Sequence, residues 1–181
     1  MPNSAPIYEM KLLFRGSEEP IVLRNASMIK RIPLVARSFE LHSLDWEKKG
    51  ARINGSIRIP FGHDAAEFLF QHLSTFSPPD VSSTVPATVE ANYKAAAGKT
   101  LEQLKEIIEF AHYLECADFM ECIGFVIAKK MESLSIEECA RFMGVECQPK
   151  AHFFTDENGW VHPPDEIFDQ KVEGSEPASS G

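Results

Sequence analysis

The sequence predicts a chain that mixes strand and helix, α/β in the broad sense and α+β in its arrangement. Three observations carry this. Apolar and polar residues alternate in two short runs near the start, around Met10, Leu12 and Phe14 and around Ile21 and Leu23. Three capping signatures, at Asp64/Glu67, Thr100/Gln103 and Ser135/Glu138, each open an apolar run of helical period. The strand patterns come early and the helical ones late, over 181 residues, enough for one compact domain or a small domain with a helical extension.

Taken in order, "MKLLFRGSEEPIVLR" reads as two short strands around a turn at Gly16–Pro20. "PLVARSFEL" opens as a helix, because Pro33 suits a first turn whose N–H has no partner. "HSLDWEKKGARINGS" reads as a polar loop with a turn signal at Asn54–Gly55. "SIRIPF" is a third short strand, ended by Pro60. From Asp64 a helix carries Ala65, Phe68, Leu69, Leu73 and Phe76 on one face. "SPPDVSSTVPATVEANYKAAAG" is expected to be a surface loop, turning helical around Glu90–Ala97. Thr100 then opens a helix through Leu104, Ile107, Ile108, Ala111 and Leu114; a further helix covers Asp118–Met131, and Ser135 opens one that Gly144 ends. The acidic end, 163–181, reads as disordered.

Charge divides the chain. Residues 1–63 hold ten Lys and Arg against six Asp and Glu, a balance of +4, and residues 64–181 hold eight against twenty-one, a balance of −13. Phosphates are repelled by such an acidic half, and the basic positions of the first half are scattered, so no nucleic-acid partner is expected. No run approaches eighteen apolar residues, so no membrane span is expected either. The start shows no charged region leading into an apolar run. Cys116, Cys122, Cys139 and Cys147 are therefore expected to be reduced thiols in a cytoplasmic or nuclear protein.

Motifs that could carry chemistry are weak. "AAAGKT" ends like a phosphate-binding loop, but the glycine required five residues before Gly98 is Tyr93. His112 and Cys116 share a helical spacing, yet nothing reads C-x-x-C, and a packed histidine beside a buried thiol is the expectation in place of a metal site. Glu137 and Glu138 suit a first helical turn. No catalytic residue, metal or cofactor is assigned.

Apolar surface is what remains. Phe119, Met120, Cys122, Ile123, Phe125, Val126, Ile127 and Met131 occupy more than one face of their helix. One stripe serves the preceding domain. The surplus fits either a larger self-contained helical core or a surface that grips another chain.

"AHYLECADF", "IAKKMESLSIEECARFMGV" and "FTDENGW" in the second half, most specific from Tyr113 to Val145, and "MKLLFRG", "EPIVLR" and "IRIPF" in the first, together resemble one family in order and spacing. It is the S-phase kinase-associated protein family, the adaptors that join F-box proteins to cullins in SCF ubiquitin ligases, and the first-half motifs are similar to its BTB/POZ half. The resemblance implies a BTB/POZ domain with a small three-stranded sheet over 8–76 and a linker loop over 77–99. A helical dimerisation and F-box-binding region over 100–162 follows. It implies a non-catalytic adaptor of ubiquitin-dependent degradation. Ile108, Phe119, Ile127, Met131, Met143, Val145 and Trp160 would fall on or beside the F-box groove, and His112 and Tyr113 at the cullin. The chain departs from the pattern at His112 (Asn in the family), at Lys105 (Phe in the family), in a basic "WEKKGARING" loop, and in lacking a long acidic helix before Trp160. Two other readings stay open: a homodimerising structural module, and a decoy that binds F-box proteins but no cullin.

Overall fold

The computed structural model describes residues 6–80 and 87–146. Helices and a small three-stranded sheet make an α+β fold. Strand β1 (Ile7–Arg15) turns through Gly16 into β2 (Ile21–Leu23), and the two pair antiparallel with Leu12 opposite Ile21. Helix α1 (Ala26–Lys30) was not legible as an element; the Asn25 side chain caps it by accepting from the Met28 N–H at 3.1 Å. Helix α2 (Pro33–His42) starts with its proline at the first turn, as the spacing predicts.

The segment expected to be a polar loop is instead a single helical turn, α3 (Trp46–Lys49), followed at once by β3 (Gly50–Gly62). Trp46 explains the difference. Its ring is buried edge-on to Tyr8 at 5.8 Å and tilted against Phe39 at 5.2 Å, so the chain is pulled inward where the charges around it suggest solvent. Gly50 then has φ +76, and any Cβ there would stand 2.4 Å from the Ile7 carbonyl oxygen. Only glycine lets β3 begin this close to β1.

Strand β3 is longer than "SIRIPF" and does not stop at Pro60. It pairs with β1 in parallel, giving the order β2-β1-β3, with Ile57 opposite Leu12 and Ile59 opposite Phe14. The register jumps between Arg52 and Ser56, where the Asn54–Gly55 signal makes a bulge instead of a hairpin turn. Because β3 pairs on one side only among the described residues, Pro60 can sit within it without removing a ladder bond.

Helix α4 (His63–His72) follows without a break. The cap read at Asp64 is corrected: the N-cap is Gly62, with no side-chain cap, and Asp64 lies in the first turn. The Gly62 N–H is taken by Glu106 Oε1 at 3.0 Å, and Glu67 bonds Gln71 instead. The expected face is buried through Ala65, Phe68, Leu69 and Leu73. In the segment read as a surface loop, the two helical turns α5 (Val89–Asn92) and α6 (Lys94–Ala97) surround Tyr93, which is buried and donates its hydroxyl to the Ser77 carbonyl. Tyr93 and Ala96 belong to the core, with Val89 packed beside it, so this helical part is anchored by those side chains.

Helices α7 (Leu101–Tyr113) and α8 (Ala117–Met131) complete the first of two compact units, Met1–Leu134. The capping box at Thr100 and Gln103 is present in full. Phe110 joins α7 to the sheet, 5.6 Å from Phe14 and 5.4 Å from Phe61. Phe119 joins α8 to the chain after α4, stacked on Phe76 at 5.7 Å. The buried set thus runs unbroken from Met10 to Val126. The second unit, Ser135–Gly181, contains α9 (Ile136–Met143), whose Ser135–Glu138 capping box and left-handed Gly144 are both as the sequence predicts. Trp160, Cys147 and the acidic tail lie outside the described residues.

Candidate protein-docking face

The connection between α7 and α8 is only Leu114–Cys116, and it is fixed at each residue. The Leu34 N–H donates to the Leu114 carbonyl at 3.4 Å, and the Cys116 N–H donates to that of Ala111 at 2.9 Å. Glu115 has φ +62, a conformation that non-glycine residues rarely adopt. Its carboxylate takes a forked pair of hydrogen bonds from Arg37 on α2. That partner, first through hydrogen bonding, holds the Glu115 pKa below the ordinary carboxylate value and the Arg37 pKa above its own. The turn is therefore pinned to α2, and with it the angle between the helices.

At the far end of the hairpin, Lys130 Nζ donates to the Ala97 carbonyl at 2.8 Å, so the end of α8 lies beside the start of α7 and the two run antiparallel. Each helix buries one stripe: Leu104, Ile107, Phe110 and Ala111 from α7, and Phe119, Cys122, Ile123 and Val126 from α8. A second stripe lies about a third of a turn round on both, by the 3.6-residue repeat. On α7 it holds Leu101, Lys105, Ile108 and His112; on α8 it holds Met120, Gly124, Ile127 and Met131. The two stripes meet, since a Cβ at Gly124 would stand 3.9 Å from Ile108 Cδ1. Leu101, Ile108, Met120, Ile127 and Met131 are all half-buried, and Ile108, Met120 and Ile127 pack on the core from their inner side. Toward the turn this seam widens into a hollow of about 500 Å³ lined by Phe61, Ile108, Glu109, His112, Tyr113 and Met120.

The expected site residues divide accordingly. Ile108, Ile127 and Met131 lie in the seam, and His112 and Tyr113 are exposed at its turn end, Tyr113 packing on Phe61 at 5.4 Å. Phe119 is a correction: at 2% exposure it belongs to the core and offers nothing to a partner. Its position falls on the inward stripe, four residues before Ile123. Met143 and Val145 are 63% and 60% exposed in the second unit, with Ile136 at the other end of α9. Trp160 lies outside the described residues. Met120, Gly124 and Phe61 were missed. The first two were readable as a stripe with Ile127 and Met131 at spacings of four, three and four; Phe61 reaches the hollow only through tertiary packing.

Reactive chemistry finds little support here. Burial, with Asp118 and Glu115 nearby, pushes the Cys116 thiol up to about 12, and burial raises Cys122 as well, so neither holds an accessible thiolate. Among the described residues no three His, Cys, Asp or Glu side chains converge as metal ligands would. No helix among them is long and apolar enough to cross a membrane.

No family model matches the sequence, and no curated protein matches it.

Proposed function

We propose that this chain is an adaptor of an SCF-type ubiquitin ligase, with a BTB/POZ-like α/β half and an F-box receptor held along the α7–α8 seam. The observation that carries the reading is the half-buried stripe itself: Ile108, Met120 and Ile127, an apolar strip on the hairpin that packs on the core at its inner side and stays partly exposed. Amphipathic helices dock in grooves of this kind through residues at helical spacing. Each large side chain fully covered contributes about 1.5–3 kcal/mol, and three or four of them offset the cost of association. A cullin meets the His112–Tyr113 end, where the exposed pair borders the hollow. The chain acts by binding and placing its partners, in the cytoplasm or nucleus, without catalysis of its own.

The test uses recombinant F-box domains and the full chain. Met120→Asp and Ile127→Asp should each abolish capture; because both side chains pack on the core along one side only, each variant should melt lower yet keep its helical circular dichroism and a cooperative transition. Capture that survives both changes removes the seam from the account. Tyr113→Ala should weaken a cullin and spare the F-box domain. F-box capture without any cullin binding in the unaltered chain would make it a decoy. Leu41 and Leu44, 90% and 92% exposed at the end of α2, favour one further reading, a homodimer through that end of the domain. Concentration-dependent mass that Leu44→Glu abolishes would establish it.

A further inference from the structure

The α7–α8 seam is apolar over its middle except at Lys105. That residue sits one turn before Ile108 on the α7 stripe, in the line of Leu101, Ile108 and the facing Ile127 and Met131. It is exposed, and among the described residues it makes no hydrogen bond or ion pair. Glu102, three positions before, lies further round toward solvent, and Glu109, four after, lines the hollow at the turn end; neither forms an ion pair with it. The cations of α8 at the same end are occupied differently: Lys129 with Glu132, and Lys130 on the Ala97 carbonyl.

A lysine in this place lays its aliphatic stem along the seam and keeps the ammonium in water, which costs nothing while the seam is open. Covering it with a wholly apolar helix removes that water and leaves an unpaired charge, an unfavourable exchange. A carboxylate at the matching position restores a charge-assisted hydrogen bond, and a second cation there is repelled. The same residue thus favours one class of partner and rejects another.

We infer that the helix docking in this seam carries an Asp or Glu within its apolar stripe, opposite Lys105, and that Lys105 selects for it. This rests on the reading that a foreign helix occupies the seam, and it adds the charge that helix must bear.

The experiment uses the full chain and two synthetic amphipathic helices with the same leucine stripe, differing only in Glu or Lys at its centre. Fluorescence anisotropy should find the Glu helix bound roughly two- to fivefold more tightly at low salt, the range of a partly exposed ion pair. The difference should shrink as salt rises. Lys105→Glu should reverse the order, and Lys105→Met should abolish it while tightening both. Equal binding of the two helices, or a preference that Lys105→Glu leaves unchanged, overturns the inference. If F-box domains are captured while the helices bind alike, the charge rule falls and the adaptor reading stands. If neither helix nor any F-box domain is held, both fall. A self-association that Ile127→Asp abolishes would give the seam to a second copy and overturn the inference too.

Discussion

His72 shows how one side chain makes the fold sensitive to pH. It stacks on Phe76 at 4.9 Å and lies 4.6 Å from Phe68, while Lys99 sits over the Phe68 ring. Burial first, and Lys99 second, lower its pKa below 6.5. The folded state therefore resists protonating a histidine that the unfolded chain protonates freely. Stability from this residue is whole above about pH 6.5 and falls as pH drops toward and through the folded value. His72→Phe should flatten the part of the stability profile just below pH 6.5, measured by urea titration at several pH values. An unchanged profile would mean that the ring is solvated. Glu115 works in the usual carboxylate sense. Its lowered pKa contributes stability above the unfolded carboxylate range, lost as pH falls through the folded value, so the deficit of Glu115→Gln should narrow in acid.

At the scale of the element, the hairpin of α7 and α8 is rigid at its turn and spare at its centre. Gly124 is the spare position. A methyl there would make ordinary contact with Ile108 at 3.9 Å, and alanine is about 1 kcal/mol better than glycine inside a helix. Gly124→Ala should raise stability by up to about 1 kcal/mol in chemical denaturation. Gly124→Leu would fill the seam, and F-box capture should fail while the fold persists. The capping boxes at Thr100 and Ser135 were readable because each is a contract between residues three apart. The Asp64 signature failed because the helix caps two residues earlier, at Gly62, whose N–H donates to Glu106, 44 positions away, while Glu67 accepts from Gln71.

Across the first compact unit, the two stripes of α8 should behave as different materials. Phe119→Ala removes a stacked core ring and should cost about 3–5 kcal/mol. Ile127→Asp, one turn past Ile123 and half-buried, should lower the melting transition by clearly less than Phe119→Ala while eliminating any partner of the seam. Equal damage from both would mean that the seam is closed in solution. The apolar surplus of Ala111–Val145 is thus split: Phe119, Cys122, Ile123 and Val126 face inward, and Met120, Ile127 and Met131 line the rim.

What the sequence determined by itself was local: β1 and β2 with their turn, the proline start of α2, the spans of α7, α8 and α9, and the presence of more apolar surface than one stripe of α8 can hide. These depend on residues within a turn or two of each other, where periodicity and capping act. Which stripe of α8 points inward, that Trp46 draws a charged segment into the core, that β3 pairs in parallel with β1 and runs through Pro60, and that Phe61 joins His112 and Met120 around one hollow were decided only by tertiary structure. A helix of given pattern can turn either apolar flank inward, and a strand can take either edge. The choice is made by rings and backbone groups that are distant in the chain and adjacent only once it has folded.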